Sequence, residues 1–155
     1  MKKTNAIRLL EAGRVGFTAH EYDVSDGGIS GVAVAAKIGR SPDIVYKTLV
    51  AAGRDTGINV FVIPCAVELD LKKAAKAAGD KHIEMLKSRE LEPETGYVHG
   101  GCSPVGMKKQ FPTYVDETAV LYDTIYVSGG RVGLQIGVSP PDLARVTDAV
   151  LCDLF

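Results

Sequence analysis

Apolar positions change period along the chain, and those changes predict its elements. After Thr4, a natural helix cap, Ile7 and Leu10, with Val15 beyond them, recur at helical spacing, and Gly13 and Gly16 end the helix. Phe17 to Tyr22 then alternates, Phe17, Ala19 and Glu21 against Thr18, His20 and Tyr22, as a strand does. A glycine cluster at 27, 28 and 31 makes a loop, a helix follows over Val32 to Ile38, and Ser41-Pro42 restarts a short helical turn. Val45 to Ala52 and Ile58 to Ile63 are Val-, Ile-, Leu- and Phe-rich runs separated by the turn-forming 53–57, which predicts an antiparallel pair. Asp70 caps a helix from Leu71 to Ala78, stopped by Gly79. A short extended piece runs from His82 to Met85, and another helix starts near Ser88. Two β-branched runs, Thr124 to Val127 and Val132 to Val138, flank Ser128-Gly129-Gly130-Arg131 as a hairpin, and Ser139-Pro140-Pro141 opens a last helix through about Val146.

Helices and strands mix without βαβ alternation, so the fold class read from the pattern is α+β. With 155 residues, no repeat and no low-complexity stretch, the expectation is one domain spanning 1–155. The 46% hydrophobic and 24% charged composition belongs to globular rather than disordered chains. A net charge of −1 excludes the strongly basic footprint of a stand-alone nucleic-acid binder, so any RNA is held locally, with Lys72, Lys73 and Lys76 or Lys108 and Lys109 as basic groups for phosphates or as solvated faces. Three scattered cysteines (65, 102 and 152), without a CxxC pair, predict reduced thiols, no structural zinc and a cytoplasmic setting. No apolar run is long enough for a membrane-spanning helix.

Two features carry candidate chemistry. Lys47 sits inside the apolar strand run Val45-Tyr46-Lys47-Thr48-Leu49-Val50, where its ammonium either reaches an anion in a cleft or rides on its stem into water. Gly100-Gly101-Cys102-Ser103-Pro104-Val105-Gly106 is a low-bulk loop whose amides either approach a ligand or make a tight connection; it lacks the Walker A spacing. Cys102, Ser103 and Ser128 invite a nucleophile reading. None has a convincing base nearby in sequence, and a packing role for Cys102 and His99 is the expectation.

Val45-Tyr-Lys-Thr-Leu49, Leu69-Asp-Leu-Lys-Lys73, Thr95-Gly-Tyr-Val98, the Gly-rich loop at 100–106 and Ile125-Tyr-Val-Ser-Gly-Gly130, in that order, resemble the YbaK/EbsC family over nearly the whole chain. The resemblance implies a mixed, mainly antiparallel, barrel-like sheet surrounded by helices, similar to the editing domain inserted in prolyl-tRNA synthetases. It implies hydrolysis of mischarged tRNA in trans, foremost Cys-tRNA(Pro), with the tRNA 3' end and prolyl-tRNA synthetase as partners and with no cofactor, metal or membrane. Lys47, Gly100 and Gly101 match catalytic positions. Tyr22, Ile29, Ser103, Pro104, Ser128, Gly129 and Gln135 are the expected substrate contacts, Ile29 and Gln135 standing where relatives often have an aromatic and an acidic residue. The family's cysteinyl substrate uses its own thiol as nucleophile, in keeping with the missing triad. The alternatives are an enzyme of the same fold that clears another amino acid, such as Ala-tRNA(Pro), by water attack, and a non-catalytic module that binds aminoacyl-tRNA or a synthetase.

Overall fold

The computed structural model describes residues 2–155. Thr4 caps α1 (Asn5–Ala12) by accepting a hydrogen bond from the Ile7 amide at 3.2 Å. Its hydroxyl also donates to the Gly129 carbonyl, so one side chain both starts the helix and fastens it to the 129–133 turn. Chain order continues with β1 (Phe17–Glu21), α2 (Gly31–Lys37), a 3-10 turn at Pro42–Ile44, β2 (Tyr46–Gly53), β3 (Gly57–Pro64), α3 (Leu71–Ala78) and β4 (Ile83–Met85). Then come α4 (Ser88–Thr95), β5 (Thr113–Asp116), a 3-10 segment Glu117–Leu121, β6 (Ile125–Ser128), β7 (Leu134–Val138), α5 (Pro140–Thr147) and β8 (Val150–Cys152). Side-chain oxygens of Ser30, Asp70 and Ser139 cap α2, α3 and α5, each such cap contributing about 1 kcal/mol to its helix.

Two sheets form. One is antiparallel with order β1-β7-β6, and the other is mixed with order β4-β2-β3-β5-β8. A parallel bridge between Val45 and Tyr126 joins them where β2 begins. The α+β class and its mainly antiparallel pairing are as expected, but the sheets do not close into a barrel, because β1, β4 and β8 are left as free edges. β5 and β8, short strands that the sequence pattern did not single out, add parallel pairs to β3 and to each other. β7 also starts two residues later than the run from Val132 predicts. Gly133, at φ +94, turns the chain again before pairing begins, with Val132 lying against Gly100 and Gly101.

Alternation decides which face of the three-stranded sheet is core. Leu134, Ile136 and Val138 pack with Ile125 and Val127, with α1 through Ala6, Ile7 and Leu10, and with Leu143 of α5. The opposite face carries His20, Gln135 and Ser128, which are paired neighbours across the three strands. A second core, Phe61, Ile63, Ala74, Ala75, Ile83 and Leu154, holds α3 on the other sheet. Among the described residues no helix is long and apolar enough to cross a membrane.

The β2–β3 turn is pinned by Asp80, whose carboxylate accepts from the Asp55 and Thr56 amides at 3.0 and 2.8 Å and from the Thr56 hydroxyl at 2.7 Å. The Thr56 hydroxyl bond is foremost in holding this carboxyl well below the usual range, and the surrounding amides add to it. A depressed carboxyl stabilises the fold above its unfolded pKa and loses that contribution as pH falls through the folded value. Asp80→Asn is therefore expected to lower the thermal midpoint by a few degrees at neutral pH, with the gap to wild type closing as pH drops well below about 4 in thermal scans.

Candidate functional site

A cleft of about 330 Å³ opens beside the Val45–Tyr126 bridge where the two sheets meet, at the lower end of the range for small-molecule sites. Tyr22 just past β1, Ile29 and Ser30 before α2, Lys47, Thr48 and Leu49 of β2, His99 and Gly100 of the Gly-rich segment, Ser128 of β6 and Gln135 of β7 all line it. The loop before α2 is stapled by Lys37, whose ammonium donates to the Asp23 and Gly28 carbonyls at 2.7 and 2.9 Å and to Asp26 Oδ1 at 2.7 Å. That staple fixes the stretch leading into Ile29, and the Ile29 side chain reaches over to Gly100.

Val98 to Gly101 make a tight turn, closed by the Gly101 amide donating to the Val98 carbonyl at 3.0 Å. Gly100 holds the third position at φ +83, the positive angle that a type II turn requires there and that glycine adopts without strain. A β-carbon on Gly100 would stand 3.2 Å from Ile29 Cδ1. Tyr97 anchors the turn from behind by donating its hydroxyl to the Val105 carbonyl at 2.7 Å.

Of the residues singled out in the sequence, Lys47, Gly100, Tyr22, Ile29, Ser128 and Gln135 share this cleft. Four do not line it. The Gly101 amide is consumed by the turn, and the residue lies against the Arg131–Val132 backbone, where a β-carbon would come within 2.8 Å of the Val132 nitrogen. Its glycine allows close packing, and the amide that the sequence reading sets beside the substrate is bonded within the turn. Ser103 and Pro104 are buried, the serine oxygen accepting from the Val105 amide at 3.2 Å inside its own loop. Gly129 is packed beneath Leu134, 2.6 Å from where its β-carbon would stand. These three shape the loops and do not line the cleft.

Lys47 is half-buried, opposite Ile63 in the β2–β3 ladder. Among the described residues no carboxylate pairs with its ammonium, and no aspartate or glutamate lines the cleft. Two of the other basic groups are engaged elsewhere: Lys73 pairs with Asp153 at 2.9 Å, and Lys108 donates to the Pro93 carbonyl at the end of α4. Among the described residues lining the cleft no nucleophile–base pair is assembled. Burial pushes the Cys102 thiol up to about 12 and raises that of Cys65, although the nearby Lys47 charge works against the latter shift. The Ser128 hydroxyl accepts from the Gly130 amide at 3.2 Å, within its own hairpin turn. Among the described residues no three histidine, cysteine or acidic side chains are grouped to hold a metal.

Sequence reasoning missed several walls of the cleft. Cys65 approaches from the end of β3 and packs on Gly31, whose β-carbon would overlap it, and Leu91 comes from α4. Both depend on contacts far apart in the chain and leave no local signal. Thr48 was legible only as the neighbour of Lys47, and His99 and Cys102, read as packing residues, do reach the cleft wall.

The profile of the aminoacyl-tRNA editing domain family matches residues 30–146. A protein of Enterococcus faecalis named "Putative Cys-tRNA(Pro)/Cys-tRNA(Cys) deacylase EbsC" is 45% identical over 153 residues, which is 99% of this chain and 93% of that protein. An uncharacterized Bacillus subtilis protein, YwhH, is 27% identical over 88% of this chain and 89% of its own length. Among solved structures, one described as a putative trans-editing enzyme for prolyl tRNA synthetase superposes with a TM-score of 0.85 at 26% identity, covering 99% of this chain and 98% of its own. The family profile covers most of the chain and the E. faecalis relative nearly all of it, so the chain belongs to the aminoacyl-tRNA editing family of deacylases.

Proposed function

We propose that this protein acts in trans on mischarged tRNA, foremost Cys-tRNA(Pro), and that the cleft shared by Lys47 and Gly100 holds the aminoacyl ester of the tRNA 3' end. One observation carries the reading: a single unpaired cation and a turn glycine face one amino-acid-sized cleft in which no side chain is activated as a nucleophile. That combination suits a substrate that brings its own. The cysteinyl sulfur gives up its proton and attacks the carbonyl carbon of its own ester, so a C–S bond forms as the C–O bond to the ribose breaks. The ribose oxygen takes a proton, leaving tRNA and a cyclic thioester that water later opens. The protein supplies proximity by holding the ester in one rotamer, while the Lys47 ammonium stabilises developing oxygen charge or the adjacent phosphate.

Selection then rests on chemistry more than on size. Serine and alanine fit wherever cysteine fits, yet neither carries the attacking sulfur. With a net charge of −1 the protein has little electrostatic hold on the body of a tRNA, and a prolyl-tRNA synthetase acting in the same complex would supply tRNA selection. The test is a deacylation panel of Cys-, Ala- and Ser-tRNA(Pro) with and without that synthetase. Cleavage of the cysteinyl ester in preference to the other two is expected, and cleavage of the alanyl ester alone would replace thiol assistance by water attack.

Neither Cys102 nor Ser103 forms an acyl intermediate on this reading. Cys102→Ala and Ser103→Ala are expected to keep activity within about threefold of wild type, and mass spectrometry of quenched reactions should find no acylated protein.

A further inference from the structure

Two residues of the cleft wall each carry a buried side-chain oxygen whose hydrogen-bonding capacity the protein leaves unused among the described residues. Gln135, only 7% exposed, has no partner for Oε1, and the buried Thr48 hydroxyl oxygen has none either. Both residues line the cleft, Thr48 from β2 and Gln135 from β7, so they belong to different sheets. Buried polar atoms are almost always paired, and two orphans on one cavity mark the place where a ligand's polar group belongs.

The surrounding charges say which form of that group fits. The cleft is lined by Lys47 and His99 but by no carboxylate. Tyr46 and Cys102 are pushed up to about 12 by burial and Cys65 is raised, so these groups are uncharged near neutrality. Carboxylates on the flanking elements lie outside the lining. Asp26 pairs with Lys37 at 2.7 Å, Glu21 faces Arg131 at 3.4 Å, and neither Asp43 nor the glutamates of α4 contribute to the wall. On the same sheet face as Gln135, His20 stacks on Tyr126 with Arg40 over that ring. An ammonium here would have no counter-ion and a lysine for a neighbour.

We infer that Gln135 and Thr48 recognise the α-amino group of the esterified amino acid, and that they take it uncharged. Gln135 Oε1 accepts an N–H, and the Thr48 hydroxyl donates to the nitrogen lone pair, which an ammonium lacks. The inference rests on the proposal that an aminoacyl ester occupies the cleft. Free α-amino groups titrate at about 7.7 to 8.0, so the protein would draw on a substrate population that grows as pH rises through that range.

The decisive comparison uses wild-type protein and two esters on the same tRNA, cysteinyl and its α-hydroxy analogue, which retains the thiol but has no group that becomes cationic. Taking the ratio of their kcat/KM values largely cancels thiol ionisation and any titration of the protein. Between about pH 6 and about pH 8.5 that amine-to-hydroxyl ratio is expected to rise by about tenfold or more. Gln135→Glu, by supplying a carboxylate for the ammonium, should flatten the rise, and Thr48→Val should lower kcat/KM for the amine substrate about tenfold. A ratio that stays flat or falls with pH in wild type overturns uncharged-amine recognition while leaving deacylation intact. Failure to cleave either ester overturns the editing reading and this inference with it.

Discussion

Lys47→Ala is expected to lower deacylation of Cys-tRNA(Pro) by about 100-fold or more, the loss typical of removing one preorganised electrostatic group from a site. The protein should remain folded. Lys47 belongs to a strand whose ladder with β3 runs over all eight residues, and its ammonium anchors no carboxylate among the described residues. Its side chain therefore contributes to the cleft more than to the core. Circular dichroism and thermal melting of the variant should match wild type within a few degrees, separating loss of function from loss of fold. Lys47→Arg keeps the charge but presents a wider, planar head, so it should recover only part of the activity. Activity at the wild-type level in Lys47→Ala would remove this residue from the reaction.

Gly100→Ala should cost nearly as much for a different reason. At φ +83 an L side chain is strained by about 1–2 kcal/mol, and the added methyl stands 3.2 Å from Ile29 Cδ1 on the opposite lip of the cleft. Either the turn shifts or Ile29 moves, and both displace cleft wall by a few tenths of an ångström. Misplacement of a substrate on the scale of 1 Å can cost about 100-fold, so a fall of tenfold to about 100-fold in kcat is expected. Gly101→Ala makes a useful contrast. Its methyl would press on the Arg131–Val132 backbone, so melting temperature should fall along with activity. Should Gly100→Ala lose stability and keep full turnover per folded molecule, the turn would be scaffold alone.

The fold was largely legible because its cues are local. Thr4, Asp70 and Ser139 announce helix starts, β2 and β3 are eight residues each about a turn, and the Gly-Gly pair between β6 and β7 signals their hairpin. β5 and β8 escaped because they are four and three residues long and pair in parallel with partners distant in the chain, a relation no short-range pattern records. At the site, the strand around Lys47 and the low-bulk loop at 100–106 follow from residue type and spacing. Which of two adjacent glycines lines the cleft does not. Gly100 and Gly101 differ only in the direction the turn gives them, one toward Ile29 and the cleft, the other onto the 131–132 backbone. Serines mislead in the same way: the hydroxyls of Ser103 and Ser128 both accept from their own loops, bonds that sequence alone cannot tell from a catalytic placement.

The central claim is that the cleft between Lys47 and Gly100 receives the amino acid carried by a tRNA 3' end. It is tested most directly by amide NMR titration with a non-hydrolysable 3'-cysteinylamido adenosine. The account predicts saturable shifts in Lys47, Thr48, Gly100 and Gln135, absent in a Lys47→Ala titration at the same concentrations. Shifts confined to the second hollow, lined by Phe111, Tyr114 and Thr147, or the same response in wild type and variant, would contradict it.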